Sequence, residues 1–276
     1  MKFKPVARHE SAAERRHRLR RLAIDVLAVL VLIICIALGL KLRPHPPPAP
    51  VAKPATQAEL ADQQIALPVL LDDSTRYWKT VLAGFDARYE VPQLRVFGQT
   101  LSALCGARGA VAGPFYCPTD ERIYLEQSFV DELDARAGEA RELARRYVIG
   151  HEVGHHLQNL LGTTAVVEQA RATSTPEVAN RTLAVLELQA DCYAGLWLQH
   201  TVQGGGPSAA ARMSAALDAA SAAGAARVRE LAGRAVLPDA FAHGTAEQRH
   251  RWFGRGLNGG TMSSCDTFSA AAAGQL

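Results

Sequence analysis

An α+β fold, mainly helical with a small sheet and preceded by one N-terminal transmembrane helix, is what this 276-residue sequence predicts. Three observations carry that expectation. A basic tail is followed by a long apolar run; short alternating apolar segments flank a turn between residues 113 and 125; and segments of helical periodicity fill most of the chain beyond it. A hydrophobic content of 48% is enough to bury a sizeable core, and the length suggests one or two domains.

Residues 1–21 form a basic cytoplasmic tail, with Lys2, Lys4, Arg8, Arg15, Arg16, Arg18, Arg20 and Arg21 against Glu10 and Glu14. Removing those eight bases and two acids from totals of 30 and 27 leaves 22 against 25, so the rest of the chain is slightly acidic and gives a nucleic-acid role no support. Residues 22–40 are apolar apart from Asp25, and 19 residues is close to the roughly 20 that cross a bilayer as a helix. The arginines ahead of the span place the N-terminus in the cytoplasm and everything after it on the periplasmic or extracytoplasmic side. A cleaved signal peptide is the competing reading. The span exceeds the usual apolar length of such peptides, and Ala37-Leu38-Gly39 makes a poor cleavage site, which favours an uncleaved anchor. No small residue directly precedes Cys35, which speaks against a lipid attachment site.

Residues 41–72 form a proline-rich linker that opens with Pro44-His45-Pro46-Pro47-Pro48-Ala49-Pro50, a stiff extended spacer. The domain proper is expected over 73–268 and a disordered tail over 269–276. Within the domain, Ser74 caps a helix that runs to about Tyr89 and is stopped by Pro92, Leu94 to Phe97 make a short strand, and Gly98 to Gly113 are loop. Gly113 to Pro118 and Ile123 to Leu125 flank the turn Thr119-Asp120-Glu121 as a hairpin, whose edge is either an ordinary sheet edge or a place for an extended peptide to pair. A short helix covers Phe129 to Ala137, and a longer one covers Ala140 to Leu161 and stops at Gly162. Thr175 and Pro176 open a second long helix that runs to about His200 and ends before Gly204-Gly205-Gly206-Pro207. Two alanine-rich helices follow over 209–236, then a turn over 239–245 and a final short helix over 246–254.

The chemistry centres on His151-Glu152-Val153-Gly154-His155, an H-E-x-x-H pattern set in an apolar helical run. Residues four apart share a helix face, so His151 and His155 can both offer imidazole nitrogens to one Zn2+ while Glu152 stands beside them as a base. The bland alternative is a helix with two surface histidines. A catalytic zinc needs a third protein ligand, and Leu161 stands where a third histidine of the short motif would be. The candidate is Glu187, in the middle of the second long helix, with Asp191 four residues on to accept a hydrogen bond from a ligand imidazole and fix its tautomer. The alternative is an acid pair bonded to Arg181 or another base. His156 points about 100° away from His155 and is not expected to be a ligand.

His151-Glu152-Val153-Gly154-His155-His156, Glu187-Leu188-Gln189-Ala190-Asp191-Cys192, Phe241-Ala242-His243-Gly244-Thr245, Cys105-Gly106 and Gly113 to Pro118 resemble the neutral zinc metallopeptidase family of bacterial membrane-anchored proteins. The likeness runs from about Tyr77 to Phe268. It implies a zincin-like, gluzincin-type domain with a Glu-x-x-x-Asp third-ligand helix, and zinc-dependent hydrolysis of peptide bonds. His243 and Arg249 are also similar to the His-Pro-x-x-x-x-Arg segment of the CAAX-prenyl and HtpX-type metallopeptidases, with Gly244 in place of the proline. That likeness places His243 near bound substrate, where it could stabilise an oxyanion; a surface histidine at a helix N-terminus is the alternative.

Four cysteines follow the apolar span, and four allow three pairings. The favoured set is Cys105 with Cys117, stapling the glycine-rich loop to the strands, and Cys192 with Cys265, tying the tail to the third-ligand helix. A cysteine-zinc site is the rival, but no C-x-x-C pair is present, and a nucleophilic Cys192 has no assigned base. The function expected is that of a membrane-anchored zinc endopeptidase acting on a protein or peptide. The rivals are an envelope interaction protein with a structural or vestigial metal site, and a zinc amidase acting on a non-peptide or cell-wall amide.

Overall fold

The computed structural model describes residues 57–85, 87–98, 101–102, 105, 110–111, 113–201, 207–231 and 243–276. The basic tail, the apolar segment 22–40 and the first part of the proline-rich linker lie outside them. No helix among the described residues is long and apolar enough to cross a membrane.

The first helix, α1 (Gln57–Ala83), begins well before Ser74, so residues 57–72 of the expected linker are helical. Leu67, Leu70, Leu71, Ser74, Thr75, Trp78 and Leu82 are all buried, at spacings of three, one, three, one, three and four, which is a single helical stripe that simply continues upstream. Pro68 sits on its solvent side. Ser74 is therefore a buried mid-helix residue and not a cap. The helix ends at Ala83, ahead of the expected stop at Pro92.

Strand β1 (Gln93–Phe97) pairs in parallel with β5 (Arg122–Glu126), and β4 (Phe115–Cys117) pairs with β5 antiparallel, giving the order β1-β5-β4. The hairpin expected around Thr119-Asp120-Glu121 is this β4–β5 pair, with Glu121 at φ 56° in the turn. The glycine-rich stretch expected as loop carries a minimal ladder, β2 (Leu101–Ser102) against β3 (Ala110–Val111). The disulfide Cys105–Cys117 ties it to β4.

Then come α2 (Gln127–Ala137) and the motif helix α3 (Arg141–Leu160), which Gly162 ends with φ 77°. An additional helix that no local pattern predicts, α4 (Thr163–Thr173), leads into α5 (Pro176–Thr201). The alanine-rich segment is one helix, α6 (Pro207–Leu231), where two were expected. No proline interrupts it, and Met213, Ala216, Leu217, Ala220 and Ala223 bury one continuous face. Helix α7 (Ala246–Leu257) opens on a capping box between Thr245 and Gln248. The expected frayed end is instead a 3-10 turn (Met262–Cys265) and α8 (Thr267–Ala272), fixed by the disulfide Cys192–Cys265, by Asp266 capping Ser269, and by Arg251 donating to the Leu276 carbonyl at 2.9 Å.

Candidate metal centre

Two glycines on one face of α3 set how closely the motif helix meets α5. A Cβ at Gly154 would lie 2.8 Å from the Ala190 Cα, and one at Gly150 would lie 3.2 Å from the Ala194 Cα. Helices this close bring the residues flanking the seam into contact. His151 and His155 thus meet Glu187 and Asp191 across the crossing. On its far side α5 is approached as closely by α7, where a Cβ at Gly256 would stand 2.1 Å from the Cys192 carbonyl oxygen. That contact carries Arg249 to Asp191.

At the seam, His151 Nε2 lies 3.2 Å from His155 Nε2 and 3.1 Å from Glu187 Oε2, while His155 Nε2 lies 3.4 Å from Glu187 Oε1. His243, ahead of α7, adds a fourth group with its Nε2 3.4 Å from Glu187 Oε2. His151, Glu187 and His243 offer ligand atoms within 4.8 Å of one another. The donor set is nitrogen and oxygen, the chemistry that zinc takes. Its orientation asks for a cation. The Nδ1 of His151 faces Asp191 Oδ1 at 2.9 Å and that of His155 faces Gln158 Oε1 at 2.9 Å, so each Nδ1 carries the ring proton. Two Nε2 lone pairs are then turned on each other and on a carboxylate, and such a cluster of acceptors is held together by a shared proton or a metal ion. Burial opposes a charge on His151, yet its contacts with Asp191 and Glu187 carry the imidazole up to about 10. Partial burial likewise opposes a charge on Glu187, but His243, His155 and His151 hold its carboxyl well below the usual range.

Glu152 is 3% exposed and follows His151 on the helix. Its carboxylate takes the Tyr116 backbone N–H from strand β4, and Oε2 is buried with no hydrogen-bond partner among the described residues. Burial raises its carboxyl, with His151 and His155 partly offsetting the effect. A buried, unpartnered carboxylate oxygen beside converging imidazoles is the arrangement a proton acceptor needs.

Behind the imidazoles the contacts are dense. Asp191, fully buried, accepts from His151 Nδ1, from Arg249 Nε at 2.9 Å and Nη2 at 3.2 Å, and from the Tyr147 hydroxyl. Arg249 also donates to Tyr147 and to Ser221 Oγ. Burial alone would raise the Asp191 carboxyl; Arg249 and His151 hold it well below its ordinary value. The base opposite the acid pair is thus Arg249 rather than Arg181, which lies on the exposed surface. Gly244 has φ 79°, which a proline ring forbids, so this turn is built differently from the His-Pro form.

His156 sits away from the cluster, with Nε2 donating to the Glu90 carbonyl at 2.7 Å and Nδ1 accepting from Tyr116 OH at 2.9 Å. Tyr147, Gln158 and Tyr116 drew no attention in the sequence. Two of them carry a faint signal, since Tyr147 lies one turn before His151 and Gln158 three residues after His155, each on the imidazole face.

A helix bearing H-E-x-x-H, packed against a second that supplies a Glu-x-x-x-Asp pair, defines a candidate metallohydrolase centre. The chain belongs to the family described as "Putative neutral zinc metallopeptidase", whose profile matches residues 23–268. It is 38% identical over 200 residues to the uncharacterized protein YpfJ of Escherichia coli (strain K12), covering 72% of this chain and 69% of that one. It is 37% identical over 207 residues to the uncharacterized protein Rv2575 of Mycobacterium tuberculosis (strain H37Rv), covering 71% and 68%. No solved structure matches the chain.

Proposed function

We propose that the protein is a zinc-dependent endopeptidase, anchored by residues 22–40 with its domain on the extracytoplasmic side, that cleaves protein or peptide substrates. The observation that carries the reading is the convergence of two imidazole Nε2 atoms and the Glu187 carboxylate within 3.1–3.4 Å, beside the unpartnered Glu152 oxygen. His151, His155 and Glu187 would hold the metal. Bound zinc supplies Lewis acidity, polarising a scissile carbonyl and making water a better nucleophile near neutral pH.

The remaining work falls to the chain's own groups. Glu152 accepts a proton from the attacking water at its free oxygen and returns it to the departing amine, while the Tyr116 N–H favours the carboxylate form. Asp191 keeps the proton of His151 on Nδ1 and so leaves Nε2 open, and Arg249 and Tyr147 hold Asp191 in place. His243 is the most exposed member of the cluster, at 43% of its side chain, which puts it where an incoming carbonyl would develop negative charge that an imidazole N–H can stabilise.

The test uses the full chain in detergent with unfolded casein. Wild type should bind one zinc per chain and cleave, a chelator should stop cleavage, and Glu152→Gln should keep the zinc but cleave about 100- to 10,000-fold more slowly, the typical contribution of a positioned general base. A Glu152→Gln variant of undiminished activity overturns the assignment. Zinc binding without any cleavage points to the interaction protein, and cleavage confined to non-peptide amides points to the amidase.

A further inference from the structure

Resting on that reading of the site, we infer that Gln158 is a positioning residue for His155, oriented by the Leu186 carbonyl and matched by a Gln189 amide that the Cys265 carbonyl orients in the same sense. Gln158 is fully buried and Gln189 is 7% exposed. Gln158 Nε2 lies 2.7 Å from the Leu186 carbonyl oxygen and 3.1 Å from Gln189 Oε1, and Gln189 Nε2 lies 3.1 Å from the Cys265 carbonyl oxygen.

A backbone carbonyl only accepts, so the atom of each side-chain amide that faces one must be the NH2 group. Leu186 fixes Gln158 by this argument and Cys265 fixes Gln189, independently, and the two assignments agree: the Gln189 oxygen faces the Gln158 nitrogen. What remains of Gln158 is its oxygen, 2.9 Å from His155 Nδ1. That oxygen can only accept, so His155 carries its proton on Nδ1 and presents Nε2 to the metal. The Cys265 carbonyl is itself secured, because Cys265 is disulfide-bonded to Cys192 and Thr267 Oγ1 donates to the Val185 carbonyl at 2.8 Å.

The two imidazoles are therefore oriented by different chemistry, His151 by a carboxylate and His155 by an amide. The centre already holds the buried carboxylates of Glu152 and Asp191 and the part-buried one of Glu187. A fourth anion behind His155 would face both of the acceptors that now take Gln158 N–H bonds, and the neutral amide avoids that conflict while directing the ring equally well.

The experiment uses full-length protein with 15N-labelled histidine, the His155 signal being identified by its loss in His155→Asn. In metal-free wild type the ring should be the Nδ1–H tautomer, and zinc should bind in competition with a chromogenic chelator. Gln158→Met, close in shape, should release the tautomer toward Nε2–H and raise the zinc Kd about 10- to 100-fold, the usual effect of removing a group that orients a ligand. Gln189→Leu leaves the Leu186 anchor in place, so it should keep the Nδ1–H tautomer and change the Kd no more than about 3-fold, well under that effect. An Nε2–H tautomer in the metal-free wild type overturns the inference without any variant. A folded Gln158→Met protein with the wild-type tautomer and Kd overturns it too. A wild type that binds no zinc overturns the metal reading instead, and the tautomer measurement still decides the role of Gln158.

Discussion

Replacing Gly154 with alanine tests the helix seam most directly. In an exposed helix interior the change stabilises by about 1 kcal/mol, because glycine has the more flexible unfolded chain. At this seam the new Cβ would stand 2.8 Å from the Ala190 Cα and 3.0 Å from both its Cβ and its carbonyl oxygen, all but the Cβ being backbone that no rotamer change can move. Ordinary contact begins near 3.4 Å, so α3 and α5 must separate by about 0.6 Å. Overpacking of this kind costs about 1–3 kcal/mol, which set against a helical gain of about 1 kcal/mol leaves a net loss of up to about 2 kcal/mol. For a domain of this size that is a fall in Tm of up to roughly 8 °C. The same separation opens the contacts of 3.1–3.4 Å between the imidazoles and Glu187, so zinc affinity should fall with stability. The control is Gly224→Ala on α6, where a Cβ meets nothing within 4 Å and the Tm should rise. Scanning calorimetry on metal-free protein reads both variants, and a Gly154→Ala protein as stable as Gly224→Ala would refute the close-contact argument.

Arg249→Met leaves Asp191 buried without its main cationic partner and should destabilise by about 3–5 kcal/mol in denaturant titration, far more than an exposed ion pair would. Replacing Cys192 and Cys265 together by alanine removes a link across 73 residues and should cost about 4 kcal/mol on the chain-entropy view, read as a lower urea midpoint that reductant shifts less than it shifts wild type, the Cys105–Cys117 link remaining. His156 is depressed by burial below its ordinary 6.5, so the unfolded chain binds its proton more readily than the fold does. Its contribution is complete above about 6.5 and is lost as pH falls through that value toward the folded one. In metal-free protein, His156→Asn should flatten the decline in stability between about pH 7 and pH 5, and an unchanged slope would count against this assignment.

The parts of the fold visible in the sequence are those where one local pattern decides the outcome. Helices α3 and α5 carry long apolar periodicity with Gly162, Thr175 and Pro176 at their ends, and the β4–β5 pair is bracketed by Gly113, Pro118 and a polar turn. The start of α1 was hidden because its stripe of Leu67, Leu70 and Leu71 runs through Pro68 out of a proline-rich stretch, and proline outweighs three leucines in any local estimate. The tail escaped notice because little apolar surface fixes it; a disulfide, an Asp266 cap and the buried Thr267 hold it against α5. At the site, the residue types that act alone stood out, His151, Glu152, His155 and Glu187 among them. Gln158, Gln189 and Tyr147 did not, since a glutamine or tyrosine on a helix is ordinarily a surface group, and only the crossing of α3 with α5 makes them partners.

The disulfide and the two carbonyl contacts around Cys265 have a consequence for how the protein is made. Synthesis runs from the N-terminus, so His151, His155, Glu187 and Asp191 have all left the ribosome well before Arg249, and Cys265 comes 73 residues after Cys192. During that interval Asp191 lacks its arginine, and Gln189 lacks the carbonyl that orients it. A candidate metal centre whose Asp191–Arg249 contact forms only when a distant downstream segment folds back onto it is therefore completed late in the chain's own synthesis.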